Sequence, residues 1–261
     1  MRKLFSGLLV LAALGGGAAI AWYELIYLPP RYSFAAPAAT AALDSATNVE
    51  VIRNHRITLR PRNVTPETGF IFYPGGEVDP VGYSEPLLRI AAAGYLVVNV
   101  PMPLDLAVLA PDRADAVVAA FPEIRTWVIG GHSLGGAMAG HYVRQHPGQM
   151  AGLLLWDAYV DTADDLSGQA LPVRQIHRLE PDGQPPAKYR ETRHLLPKNA
   201  ELVPLAGASH INYGRFNPAR RFREAPPATI PIELQHEQIA RASIEFLAQV
   251  AGNNHQGSGA P

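Results

Sequence analysis

Short apolar runs alternate with longer stretches of helical periodicity along most of the chain. FIFY at Phe70–Tyr73, YLVVNV at Tyr95–Val100, TWVI at Thr126–Ile129 and GLLLW at Gly152–Trp156 are each nearly continuous in apolar residues. Runs of that kind indicate strands covered on both faces, hence a parallel sheet between layers of helix. Val81–Ala93, Leu104–Ala120, Leu134–Gln145, Lys188–Leu195 and Glu233–Val250 read as the helices. Val49–Ile52 and Arg56–Leu59 read as two short strands split by Asn54 and His55, and Pro172–His177 and Glu201–Leu205 as two later ones. The βαβ order predicts a doubly wound α/β fold, a mostly parallel sheet flanked by helices, with its site at the carboxyl ends of the strands.

The pattern breaks at both ends. Leu4 to Tyr23 is twenty residues without a charge, preceded by Arg2 and Lys3. As a helix it would span about 30 Å, the thickness of a bilayer core. Trp22, Tyr23 and Tyr27 stand where interfacial aromatics would. A cleaved secretory signal fits as well, with its apolar Leu4–Leu14 and an A-x-A at Ala19–Ala21. Residues 1–28 are thus expected to be a transmembrane anchor or a signal peptide. With Arg2 and Lys3 kept in the cytoplasm, the rest of the chain is exported under either reading: tethered to the membrane in the first, secreted in the second. Residues 29–47 are rich in Pro and Ala and read as a tether, with one helical turn near Ala38–Leu43. Residues 48–251 are the expected domain and 252–261 a polar, disordered tail.

Composition narrows the function classes. Lys plus Arg number 22 and Asp plus Glu 23, a formal net charge of −1. Nucleic-acid binding, which needs a basic excess, is not expected. One basic stretch, Arg215–Arg223, could meet anionic lipid headgroups or an acidic substrate, but a solvated basic loop is the favoured reading. The chain has no cysteine, so thiolate catalysis, disulfides and zinc–thiolate sites are excluded. Nothing in the sequence sets the oligomeric state.

The candidate chemistry lies at one strand-to-helix turn. TWVI leads into Gly130-Gly131-His132-Ser133-Leu134-Gly135-Gly136 and then into a helix. Gly131, Ser133 and Gly135 form G-x-S-x-G, the nucleophile elbow. In this turn the serine occupies strained backbone, and the flanking glycines let strand and helix approach closely. The Leu134 N–H, opening the helix, would point at an oxyanion.

Three segments, FYPGGEVDP, GYLVVNVPMPLDLAVL and GGHSLGGAMAG, resemble the α/β-hydrolase superfamily, in particular the small, cap-poor members of the fold-5 type. The similarity runs from about Gly69 to Leu247. It implies the α/β-hydrolase fold and a Ser–acid–His triad in that chain order. The second oxyanion donor is then Gly76, or less favourably Glu77, in Tyr73-Pro74-Gly75-Gly76, where Pro74 replaces the His that many relatives carry. Of nine histidines, His210 in Gly207-Ala208-Ser209-His210 resembles the family's G-x-x-H and is the expected base. The family's usual acid, an Asp before Gly after the next-to-last strand, matches Asp182. That strand, PVRQIHRLEPDG, is unusually polar, and Glu180 and Asp157 remain alternatives.

The expectation is a serine hydrolase of the carboxylesterase kind, cleaving a small-molecule ester or similar acyl bond through an acyl-enzyme. No metal or organic cofactor is implied. Between Trp156 and Pro172 there is too little chain for a helical cap. An open site lined by Met102, Leu104, Trp156 and Tyr159 follows, with Met102 and Trp156 expected to touch substrate. A non-catalytic binding domain on the same scaffold and a peptidase of the same fold are the competing readings.

Overall fold

A computed structural model describes residues 33–217 and 226–257. The chain opens with α1 (Pro37–Asp44), then β1 (Val49–Arg53), β2 (Ile57–Pro61), β3 (Thr68–Tyr73), α2 (Ser84–Ala92) and β4 (Leu96–Asn99). There follow α3 (Arg113–Ala120), β5 (Thr126–His132), α4 (Leu134–Gln145), β6 (Gly152–Trp156) and β7 (Val173–Arg178). The last elements are α5 (Ala187–Thr192), β8 (Glu201–Leu205) and α6 (Ile232–Gly257). The eight strands form one sheet in the order β1-β2-β4-β3-β5-β6-β7-β8. β2 runs antiparallel to both β1 and β4, and every pair from β4 through β8 is parallel.

The period-two pleat divides the apolar runs between two cores. Phe70, Phe72, Val128, Leu154 and Trp156 point to one face, where α2 and α6 cover them with Leu87, Ile90, Ile239 and Phe246. Ile71, Tyr73, Ile129, Leu153 and Leu155 point to the other and meet Ala114 and Val117 of α3 and Ala139 and Tyr142 of α4. Burial on both faces is why these strands carry no polar alternation.

The polar residues of β7 are buried with partners. Arg174 donates from Nε to Glu201 at 2.8 Å and from Nη1 to the Ala242 carbonyl at 2.6 Å. Gln175 donates to the Ala158 carbonyl at 2.6 Å. A buried polar group so satisfied no longer opposes folding.

Several boundaries differ from expectation. The helix expected from Leu104 begins only at Arg113, because Pro111 and the conformation forced on Ala110 before it interrupt the run. Pro103–Asp105 and Ala107–Leu109 are single 3₁₀ turns instead. From Ser33 onward the expected tether is packed structure. Ser33 bridges Val78, and α1, opened by Pro37, buries Ala39 and Leu43 on the body. The expected tail begins inside α6, which continues to Gly257. The apolar segment Leu4–Tyr23 lies outside the described residues. Among the described residues no helix is long and apolar enough to cross a membrane.

Candidate active site

β5 ends at His132 and α4 starts at Leu134, so Ser133 alone makes the turn. Its backbone has φ 52° and ψ −121°, a region that costs a non-glycine residue energy. Close neighbours hold it there. The Ser133 N–H donates to the Trp156 carbonyl at 3.1 Å, and its carbonyl accepts the Ala137 N–H at 3.0 Å. A Cβ on Gly131 would lie 2.4 Å from the Tyr73 carbonyl oxygen, and one on Gly135 would lie 2.1 Å from it. The two glycines of the motif are therefore demanded by the crossing of β3 and the elbow.

Asp157 follows β6 directly, at φ 40°, with a fully buried side chain. His210 donates from Nδ1 to Asp157 Oδ2 at 2.5 Å. Arg178, at the end of β7, donates its backbone N–H to Oδ1 at 3.0 Å and its Nη1 to Oδ2 at 3.1 Å. Burial by itself would raise the Asp157 carboxyl, but the His210 hydrogen bond and the His210 and Arg178 charges outweigh it and hold the group at about 2. An ionised Asp157 accepting from Nδ1 fixes the tautomer of His210 and leaves Nε2 as its basic nitrogen.

Asp182, favoured by its spacing, is not brought to His210. It is exposed in the turn after β7 and accepts the Gln184 N–H at 2.9 Å, an Asx-type turn contact. Glu180 pairs with Arg178 at 2.8 Å. The structure therefore brings Asp157, and not the expected Asp182, to His210.

The loop after β3 is committed bond by bond. The Gly75 N–H donates to the Tyr83 hydroxyl at 3.1 Å, and the Glu77 N–H donates to the Asp105 carbonyl at 2.9 Å. Gly76 sits between them against Leu134, where an added Cβ would come within 2.9 Å of Leu134 Cδ2. Tyr83, accepting from Gly75, gives its own hydrogen to His132 Nδ1 at 2.8 Å. His132 is buried, and its ring lies 4.4 Å from that of His210. Burial first, then the His210 charge, holds His132 well below the usual imidazole range. It thus stays neutral and sets no second cation beside His210.

The loop carrying His210 is held from α6. Gln235, completely buried, accepts the Ser209 N–H at 3.0 Å and donates to the Ser209 carbonyl at 2.9 Å. Ser133, His210, Leu134, Met138, Tyr159 and Tyr189 line one hollow of about 370 Å³. Larger hollows at residues 60–66 and around Met150 and Leu171 contain no candidate nucleophile.

A model of the alpha/beta hydrolase family matches residues 69–237, well over half the chain. The chain belongs to that family. This α/β hydrolase has no match among curated proteins. Among solved structures it is similar to a membrane phospholipase A described as a bacterial virulence factor, at TM-score 0.53 and 14% identity over 96% of this chain and 99% of that one. A ferulic acid esterase from Streptomyces cinnamoneus matches at TM-score 0.53 and 16% identity over 73% of this chain and 69% of that one. A dienelactone hydrolase from Anabaena variabilis matches at TM-score 0.53 and 14% identity over 78% and 99%. At these identities the likeness is one of fold.

The other expected contacts divide. Tyr159 lines the hollow. Met102 is buried in the core with α3 and α4 instead. Trp156 is wholly buried in the opposite core, its indole N–H donating to Ser243 at 3.1 Å. The structure places both expected contacts in packing positions: the pleat of β6 turns Trp156 inward, and Met102, in the loop after β4, folds onto the other core. Arg178, Tyr83 and Gln235 were not foreseen. Arg178 showed as a polar residue where an apolar one is usual, while Tyr83 and Gln235 carry no local signal at all. Of the basic stretch, Arg215 pairs with Glu85 at 2.6 Å and Glu233 at 2.7 Å, and residues 218–223 lie outside the described residues.

Proposed function

We propose that this α/β hydrolase is a serine hydrolase of the carboxylesterase kind, cleaving an ester or similar acyl bond of a small-molecule substrate. Ser133 Oγ attacks the carbonyl carbon. His210 takes the hydroxyl proton on Nε2 and passes it to the leaving oxygen. Asp157, kept ionised, orients His210 and stabilises its charged form. Water, activated by the same histidine, then releases the acid. The Leu134 N–H, in the first turn of α4 and so without an intrahelical acceptor, is one oxyanion donor. Gly76 is the second, since its two neighbours spend their N–H groups on Tyr83 and Asp105.

The observation that carries the reading is the buried Asp157–His210 pair in the same hollow as a serine held at φ 52°. It also weakens the case for a non-catalytic scaffold, which rested on the polar β7 strand. That strand supplies Arg178 to the acid rather than the acid itself. The test is labelling by a fluorophosphonate. Rapid modification of Ser133, abolished in Ser133→Ala, is expected, and a wild-type chain that remains unlabelled contradicts the reading.

A further inference from the structure

We propose that the rim beside the Ser133 hollow docks on a lipid bilayer, and that the ester hydrolysed is a lipid ester drawn from that bilayer. The inference rests on the serine hydrolase reading above and names its substrate class.

The first observation is where the apolar N-terminal segment joins the body. The Ser33 N–H donates to the Glu77 carbonyl and the Ser33 carbonyl accepts the Asp79 N–H, each at 2.9 Å. Glu77 is the residue after Gly76. The chain coming from Leu4–Tyr23 is thus stitched to the oxyanion loop itself, not to the far end of the sheet. Nine residues lie between Tyr23 and Ser33, and the ten steps from one to the other reach at most about 35 Å. A domain of this size has a radius of gyration of about 17 Å, hence a diameter near 45 Å. A segment held in a bilayer therefore cannot pass around the body, and it keeps Ser33 and Gly76 within about 35 Å of the lipid.

The second observation is what that face exposes. The Glu77 N–H donates to the Asp105 carbonyl at 2.9 Å, which fastens the 3₁₀ turns Pro103–Leu109 to the same loop. From Pro101 to Pro111 the only charged residue is Asp105. Leu104, Val108 and Leu109 are 40%, 54% and 53% exposed, and Phe34, between the bridging residues Ser33 and Ala35, is 53% exposed. Leu104 and Asp105 both hold left-handed backbone, at φ 50° and 53°. The turn thus presents apolar side chains outward from backbone held by its own hydrogen bonds, and a lipid surface accepts such side chains.

The third observation connects this rim to the chemistry. Leu106 and Leu134 both crowd Gly76, and Leu134 continues into the wall of the hollow beside Met138. The segment that exposes Val108 and Leu109 thus carries Leu106 to the oxyanion loop, and an acyl chain drawn from the bilayer follows it to the hollow.

The test compares two esters in one preparation. Full-length protein is reconstituted in vesicles of phosphatidylglycerol and phosphatidylethanolamine carrying a fluorogenic long-chain lipid ester, with a water-soluble short-chain ester added outside. Replacing Val108→Asp together with Leu109→Asp is expected to slow the vesicle ester at least tenfold and leave the soluble ester within twofold. Val108→Trp with Leu109→Trp is expected to keep or raise the vesicle rate, because tryptophan suits the interface. Unchanged vesicle turnover in the Asp variant overturns the proposal, as does an equal loss on both esters. Wild-type protein that hydrolyses the soluble ester but not the vesicle one defeats this inference alone. Wild-type protein inactive on both defeats the hydrolase reading beneath it.

Discussion

The turns after β6 and β7 each carry an aspartate, and the two residues have opposite fates. Asp157 is fully buried, sits in left-handed backbone and accepts from His210 and twice from Arg178. Asp182 is exposed and closes a local turn onto Gln184. Asp182 has the spacing that marks an acid, and Asp157 has the surroundings that make one. A carboxylate becomes useful to a histidine when burial strengthens their interaction and a further cation keeps it ionised. Here β7 contributes that cation, Arg178, while the end of the strand before it contributes the carboxylate.

The largest effect should come from Ser133→Ala, which removes the nucleophile and little volume. Turnover of a soluble ester should fall on the order of 10⁴-fold or more, to the floor left by binding and the oxyanion donors. Adding Asp157→Asn to that variant should lower the floor little further, since residues acting as one unit are not additive. Steady-state kinetics on the single and double variants checks both.

Arg178→Met sharpens the comparison from the cation's side. It leaves a buried carboxylate with one partner fewer, which is destabilising on the order of 3 kcal/mol. Urea unfolding should show that loss, together with reduced esterase activity. Glu180→Gln, which removes only the half-exposed partner of the same arginine, should change stability by less than about 1 kcal/mol.

Acid unfolding reads the Asp157 carboxyl directly. The Asp157 carboxyl lies at about 2 in the folded chain against an ordinary value of 3.8. A depressed carboxylate adds stability that is complete above its unfolded value and is lost as pH falls through its folded value, here between about pH 4 and pH 2. The contribution is on the order of 2 kcal/mol. Asp157→Asn should remove that part of the acid limb. Some slope should persist from Glu85, whose carboxyl burial would raise but His236 and Arg215 hold at about 2. Asp182→Ala, at an exposed turn, should shift overall stability by no more than about 0.5 kcal/mol, the smallest effect of the set.

How much was legible follows from how local each signal is. The runs at Phe70–Tyr73 and Gly152–Trp156 announce doubly covered strands because burial on both faces leaves its mark on consecutive residues. The elbow around Ser133 is legible because its two glycines flank the serine within two positions, even though the carbonyl of Tyr73 that demands them comes from β3. The expected helix from Leu104 fails because Pro111 outweighs apolar periodicity, and the expected tether fails because Ala39 and Leu43 find a surface that no local pattern reveals. The acid is a long-range matter. Asp157 is 53 residues from His210 and 21 from Arg178, and only the sheet brings the three together. Gln235 holding Ser209, 26 residues away, is hidden for the same reason.

The central claim is that Asp157, not Asp182, serves His210 and Ser133. Its most direct test is kcat/KM on a water-soluble ester for Asp157→Asn and Asp182→Asn side by side. Asparagine keeps the shape of each side chain, but at position 157 it would favour the wrong His210 tautomer, a change worth about 10⁴-fold in a comparable triad. The account predicts a loss of that order for Asp157→Asn and a rate within about twofold of wild type for Asp182→Asn. A large loss at Asp182 with Asp157→Asn still active would contradict it.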